Sequence, residues 1–581
     1  MVDCTRRLAA TVFVLMTAVW LDGTAARGQA AGPTGKTRLA GVVIDGSSTR
    51  GVGAALVSLR SRSGEARDCV TDSSGHFAFE NVSPSEGYTL TATKSGYFPG
   101  TYPQGAPSRP VPASLMSYGA PSGDVRITVW PHSAISGSIT DEHGEPLPGA
   151  SLTAFPCVRA GVRLRCGEGL HGRVDDRGVY RIGRLAAGVY VVVMTPPQQM
   201  RAYPPLFFAD TRAADTAQWV TLGAGEERPG VDFATRPWPV APLAGKVDGV
   251  PQVAFHGLTV KLVAPGSDVL GMEYVLRSAP VQADGTFRFG EVPLGAYRLS
   301  VAPAPPFVSY ETNSDGILAF AGMAFPDITP GRDSGGAPIS QGLAYVGHLD
   351  IDVPKGGVTN VLLPLHAAGR ATGRIVVEGD TSKLRPNAAV LVRAESHDGN
   401  SSAGIPHALV PLVGPAASFS LDGFVGGRYV FHASPPRGLA LKSVTYGGRD
   451  YTDEPLEVTA DVAKTDIIIT FTDKVTSLSG VVRNDRAEAA RSACVVVFPV
   501  QPQLWVDYGM STPRIMTTRA DEGGTYGLTG LPAGEYYVVA PAACGRRTDD
   551  SEVLRDLARA ATRVTVAWGV QATLDLELKD R

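Results

Sequence analysis

Short runs in which apolar and polar residues alternate recur along the whole chain: F-A-F at 77–79, Y-R-I at 180–182 and F-R-F at 287–289. A period of two places successive side chains on opposite faces of a strand, so each run predicts a half-buried β-strand. Helical spacing is nearly absent. The exception is D-D-S-E-V-L-R-D-L-A-R-A-A-T, where Asp549 or Asp550 can cap a helix that presents Val553, Leu554, Leu557 and Ala558.

The strands belong to a longer period. A glycine inside a short apolar strand recurs as Gly41, Gly137, Gly245, Gly373 and Gly480. A second signature follows each of them: D-S-S-G-H-F-A-F, D-D-R-G-V-Y-R-I, A-D-G-T-F-R-F, P-A-A-S-F-S-L and E-G-G-T-Y-G-L. A third comes after it, a glycine close before Tyr88, Tyr190, Tyr297, Tyr429 and Tyr536. The aromatic of the second signature precedes this tyrosine by 10 residues in four copies and by 11 in the first. Each copy closes on an alternating strand: V-R-I-T-V-W, V-D-F-A-T, V-L-L-P-L, I-I-I-T-F-T and T-L-D-L-E-L. Repeats with several such strands predict an all-β chain, a tandem array of five Ig-like or transthyretin-like β-sandwiches. The expected boundaries are 37–132, 133–240, 241–367, 368–475 and 476–581, the last with a short helix near 550–560 packed on the end of the sandwich. Linkers are short, which predicts limited hinge freedom.

Composition supports many turns. The 581 residues include 67 Gly and 44 Pro spread along the length, with a formal charge of −3 and no long run of one sign. Nothing calls for nucleic acid or an anionic membrane surface. Arg6 and Arg7 precede an apolar run, Leu8 to Leu21, and then G-T-A-A-R-G-Q-A-A-G. That layout is a secretory signal peptide over 1–30, cut near Ala26 or Ala30. A retained anchor is the alternative, but the run falls short of the ~20 residues a span needs. The mature chain is then exported without a membrane span, to the periplasm, the outer surface or the exterior. Export makes disulfides relevant. Cys157 and Cys166 close a short loop; Cys494 and Cys544 fall within one repeat; Cys69 lacks a local partner, and Cys4 precedes the apolar run. The spacings do not suit zinc, so no metal or other cofactor is expected.

G-S-I-T-D-E-H-G-E-P-L-P-G-A-S-L (137–152), followed by D-D-R-G-V-Y-R-I-G-R-L-A-A-G-V-Y (175–190), resembles the carboxypeptidase regulatory-like domain. That family has a transthyretin-like sandwich and is similar to the B-type repeats of bacterial surface proteins. The second repeat carries the resemblance best, the first and fifth well, the third and fourth in degenerate form. The resemblance implies domains that accompany peptidases, outer-membrane receptors and surface proteins without being catalytic. Carbohydrate binding is implied only by the grouping of the fold with starch-binding-like domains. No consistent set of lysine, asparagine and acid accompanies the opening strands, where only Lys246 falls, so internal isopeptide bonds are not expected.

Three features bear on chemistry. Asp175 and Asp176 stand before Gly178 and Tyr180 as a carboxylate pair, yet acids early in a turn with glycine at its end are also ordinary turn chemistry. The fourth repeat loses the acids and keeps Phe419 and Tyr429, which favours the turn; no D-x-D-x-D-G calcium loop is present. The ten histidines share no repeated position, and neither H-E-x-x-H nor G-x-S-x-G occurs. Trp505 and Tyr508, in Q-L-W-V-D-Y-G-M, fall in a loop where they either stack on a ligand or cover the sandwich end. An aromatic-proline pair recurs after the tyrosine strand, as Phe98-Pro99, Tyr203-Pro204 and Phe325-Pro326, and reads as packing. The expectation is a non-catalytic scaffold that binds a protein or glycan of the cell envelope. A glycan-binding protein using loop aromatics is the alternative, and an enzyme with an unrecognised site the third reading.

Overall fold

The computed structural model describes residues 37–579 apart from 62–65, 83–87, 103–124, 161–162, 168, 256–257, 272, 302–306, 313–317, 325–344, 381–387, 399–404, 413–415, 437, 461–462, 492, 506–513, 522 and 542–550. The signal segment, Cys4, Phe325-Pro326, Tyr508, Cys544, Asp549 and Asp550 lie outside the described residues. Contacts divide the chain into two compact units. One runs to Ser133 and takes in Arg184–Ala187 and Gly223–Glu226; the other holds the remainder.

Strands dominate, and Ser551–Ala560 is the single α-helix among the described residues. In the first repeat the opening strand Thr37–Asp45 pairs antiparallel with His76–Val82 and parallel with the closing strand Val125–Pro131. The second sheet runs Ala66–Val70, Leu56–Ser61, Tyr88–Thr93, Gly100–Tyr102. Alternate residues of both sheets, Val43, Val57, Phe79, Ala92 and Ile127 among them, meet in a dry core. The same plan returns in the third and fourth repeats, where Val240–Asp248 and Gly369–Glu378 each lie between an antiparallel neighbour and a parallel closing strand. The second repeat splits its closing strand into Glu227–Arg228 and Phe233–Ala234, both parallel to Ser133–Thr140. In the fifth, the last strand Leu576–Lys579 pairs with Ser477–Arg483 and with Gly534–Pro541, so the two layers join along one edge.

The recurring signatures have one physical cause. A Cβ on Gly41, Gly137, Gly245, Gly373 or Gly480 would lie 1.8–2.4 Å from a carbonyl oxygen of the closing segment, that of Val125, Val231, Val361, Ile467 or Leu574. The rings of Phe77, Phe287, Phe419 and Tyr526 press on the same spot from the neighbouring strand. Where that ring is a tyrosine its hydroxyl donates to the same carbonyl: Tyr180 to Val231 O, and Tyr526 to Leu574 O at 2.6 Å. Glycine, aromatic and closing strand thus form one junction that admits no side chain on the glycine. In the third and fifth repeats the third signature is a tyrosine corner. Tyr297 and Tyr536 donate to the carbonyls of Pro293 and Pro532, four residues back, at 2.6 and 2.7 Å.

The outer face of one sheet differs between repeats. In the second, Phe155, Val191, Val193 and Phe207 form an additional apolar layer with Ala264 and Leu270 of the third. In the fifth, Val496, Phe498 and Val539 are covered by Trp505 and by Leu554 of the helix. The helix therefore lies on a sheet face, not on the end of the sandwich, because the outward residues of the strand Cys494–Pro499 are apolar too. In the fourth, the corresponding outward residues are Arg393 and Glu395, both buried.

Candidate functional site

The strand Gly188–Thr195 of the second repeat runs out into P-P-Q-Q-M-R-A-Y-P-P, residues 196–205. Prolines at both ends prevent ladder pairing, and the segment folds into two successive turns, with Met200 N donating to Pro197 O and Tyr203 N to Met200 O. It returns through Leu206–Phe207, which pairs with Val193 and Met194. Facing it are two strands of the third repeat, Val275–Pro280 and Thr286–Pro293.

The two repeats are tied at several points. The ring of Tyr274 sits 5.3 Å from that of Phe207 and 5.9 Å from that of Phe155, and its hydroxyl is 3.0 Å from Thr195 Oγ1. Arg212 donates to Leu294 O and to Tyr297 Oη, both at 2.6 Å, and its guanidinium lies 4.6 Å from the ring of Trp238. Trp238 N in turn donates to Ala202 O at 2.8 Å. These contacts hold the proline-rich segment and the facing strands at a fixed separation.

Between them lies a cleft of about 420 Å³. Arg201, Arg212 and Arg277 line it together with Tyr203, Phe289 and Met200, and none of the described lining residues is Asp, Glu, His or Cys. Arg277 donates to Glu291 O at 2.5 Å and to Arg201 O at 3.1 Å, both neutral acceptors. Among the described residues no carboxylate pairs with any of the three guanidiniums. Burial pushes Arg277 below the usual arginine range; Tyr297 opposes this and the charge of Arg201 adds to it. Tyr297 is pushed up by burial, with Arg212 and Arg277 pulling the other way. Positive charge in a partly desolvated cleft without its own counter-charge is suited to an anion.

The residues singled out from the sequence fall elsewhere. Asp175 Oδ1 accepts the backbone N–H groups of Arg177 at 3.0 Å and Val179 at 2.8 Å. The Arg177 side chain and the Val179 amide hold the Asp175 carboxyl below its ordinary range, and Asp176 is exposed. Gly178 takes φ +75° at the turn end. The turn is not a hairpin within one sheet, for it carries the chain from Leu170–Arg173 in one layer to Val179–Leu185 in the other. Asp72 and Asp521 bond the same way at the same corner, to His76 N and Thr525 N. In the third repeat Gln282 stands at that position, and Asp284 bonds Thr286 instead.

Cys157 and Cys166 are joined by a disulfide that spans two paired strands. Cys69 and Cys494 are disulfide-bonded as well. Trp505 is 6% exposed, donates Nε1–H to Pro499 O at 2.6 Å and packs edge-on to Phe498. A stacking role for Trp505 is therefore corrected: its faces are spent on the additional apolar layer. Tyr203, read as packing, lines the cleft and donates to Glu142 at 2.9 Å. His432 is one of the histidines that share no repeated position. It is buried with Nε2 3.4 Å from Glu395 Oε2, and Arg393 Nε is 2.7 Å from Glu395 Oε1.

Against known proteins, residues 38–113 match the carboxypeptidase regulatory-like domain. The match falls there and not on the second repeat, whose motif reads more fully. In the first repeat Phe77 lies 36 positions after Gly41, while in the second Tyr180 lies 43 positions after Gly137 and the disulfide-linked strands are inserted. No curated protein matches the chain. Among solved structures the chain is similar to the Bacillus anthracis TIE protein, at 9% identity over 76% of this chain and 75% of that one, with a TM-score of 0.17. It is similar to GBS52, the minor pilin of Streptococcus agalactiae, at 14% identity over 37% and 98%, TM-score 0.19. It is similar to BcpA, the major pilin subunit of Bacillus cereus, at 10% identity over 58% and 99%, TM-score 0.12. TM-scores of this size establish no shared arrangement.

Proposed function

We propose that this chain is an exported, non-catalytic scaffold of five β-sandwich repeats that presents binding surfaces in the cell envelope or outside the cell. The observation that carries the reading is the locked pairing of the second and third repeats. Their shared apolar layer fixes a cleft lined by arginine, tyrosine and proline, with none of the acids, histidines or cysteines that acid-base or nucleophilic chemistry draws on. The Cys157–Cys166 disulfide supports an oxidising compartment. Among the described residues no helix is long and apolar enough to cross a membrane.

A carbohydrate-binding role is the second reading. It is favoured by the tyrosine and proline faces of the same cleft, and Trp505 no longer contributes to it. Fractionation of the native host tests the main reading. The protein is expected in the envelope or the medium with Cys157 and Cys166 protected from alkylation, and inert across a panel of hydrolase substrates. Recovery in the cytoplasm with free thiols, or turnover abolished by one side-chain change, overturns it.

A further inference from the structure

We infer that the cleft between the second and third repeats binds a uronic acid unit of an anionic polysaccharide, with Arg201 and Arg277 taking the carboxylate. The inference rests on the scaffold reading and names the ligand class of its cleft.

The charge comes first. Three guanidiniums converge on one cavity, and among the described residues those of Arg212 and Arg277 meet neutral acceptors only. A guanidinium has five N–H donors in a planar fork. Arg277 commits two nitrogens to the carbonyls of Glu291 and Arg201, and Arg212 commits two to Leu294 O and Tyr297 Oη. That fixes both charges in place. Among the described residues the guanidinium of Arg201 has no hydrogen-bond acceptor, and only its main-chain oxygen is used, by Arg277. It is the group free to close on a ligand, in the bidentate geometry that carboxylates favour.

The remainder of the lining decides what carries the carboxylate. Tyr203 and the proline rings offer flat apolar faces, while Gln198 and Ser278 offer neutral hydrogen-bonding groups. Flat faces with neutral polar groups beside a cation suit an acidic sugar ring. An acidic peptide is served poorly. Peptides added to a sheet edge draw on main-chain donors and acceptors, yet Pro196, Pro197, Pro204 and Pro205 have no N–H to give, and Glu291 O is already taken by Arg277. A cleft of about 420 Å³ lies at the small-ligand end of the range of about 300–1,000 Å³, which fits sugar units and not a folded partner.

Titration calorimetry on the mature chain tests this with an oligogalacturonate, the neutral oligogalactoside of equal length, oligoglutamate and sodium sulfate. Binding is expected for the oligogalacturonate alone, weakened about tenfold or more by Arg201→Gln, and by raised salt. Arg277→Gln should do the same, but it also removes the bonds to Glu291 O and Arg201 O that hold the local backbone. Arg201→Gln removes no described hydrogen bond of its guanidinium and keeps the test decisive. Equal binding of the neutral oligomer, tighter binding of oligoglutamate, full competition by sulfate, or no uronate binding each overturns the inference. Absence of uronate binding in a chain found in the envelope and inert towards hydrolase substrates leaves the scaffold reading standing, whereas turnover removes that reading whatever binds.

Discussion

Each opening-strand glycine is defined by what its missing side chain makes room for. A methyl group at position 137 would meet Val231 O at 2.2 Å, and neither the strand nor the carbonyl can withdraw without breaking the parallel pairing beside it. Gly137→Ala should destabilise the second repeat by about 1–3 kcal/mol through overpacking, seen as an earlier urea transition. Gly183→Ala, on the same repeat with a flexible arginine as its near neighbour, should change little. Glu395 gives a different residue-scale test. Burial would raise its carboxyl, but His432 and then Arg393 outweigh it and leave the group well below the ordinary 4.5. A folded-state value below the unfolded one means that the stabilisation is present above the unfolded value and drains away as pH falls through the folded one. Glu395→Gln should therefore lose about 3–5 kcal/mol at neutral pH, and should lose much less relative to wild type in strong acid. Equal destabilisation at both ends of a urea-versus-pH series would contradict the assignment.

At the scale of elements, much of the architecture was legible. The strands, their repeat and the helix at Ser551–Ala560 follow from alternation, punctuation by glycine and one amphipathic run. The junction explains why: its glycine, aromatic and tyrosine are side-chain identities, so they show in the sequence. What the outer faces pack against was not legible, since Phe155, Val496 and Glu395 occupy the same alternating pattern and differ only in what covers them. Trp505 was ambiguous for that reason. The cleft was harder still, because Arg201, Arg212 and Arg277 come from separate segments of two repeats and only the proline-rich run hinted at an irregular surface. The disulfide is testable here. It joins Cys157 to Cys166 across the paired strands Ser151–Ala160 and Arg163–Cys166, so Cys157→Ser with Cys166→Ser should cost about 2 kcal/mol. The loss should appear as faster proteolysis between the two positions.

Within the larger unit, consecutive repeats are fastened by more than a linker. Tyr274 inserts between Phe155 and Phe207, and Arg514 of the fifth repeat makes a bidentate pair with Asp453 of the fourth at 2.6 and 2.7 Å while also touching Tyr536 Oη. Arg212 and Arg514 thus serve the same kind of tyrosine corner in two repeats. Tyr274→Ala should raise amide exchange across Phe207–Thr216 and leave the fourth and fifth repeats unchanged, as contacts that share no partner act independently. Arg514→Ala should have the converse effect.

The pairing of opening with closing strand also determines how the chain answers a pull. Because these two strands run parallel side by side, tension on a repeat's two ends draws them past each other, and all their shared hydrogen bonds bear the load at once instead of parting one at a time. The fourth repeat joins them over Ala371 to Glu378 and the first over Gly41 to Asp45, while the second has only the short pairs at Ala134–Ile135 and Ile139–Thr140. Stretched singly, the second repeat should yield first and the fourth last, so that the repeats differ in the load they withstand.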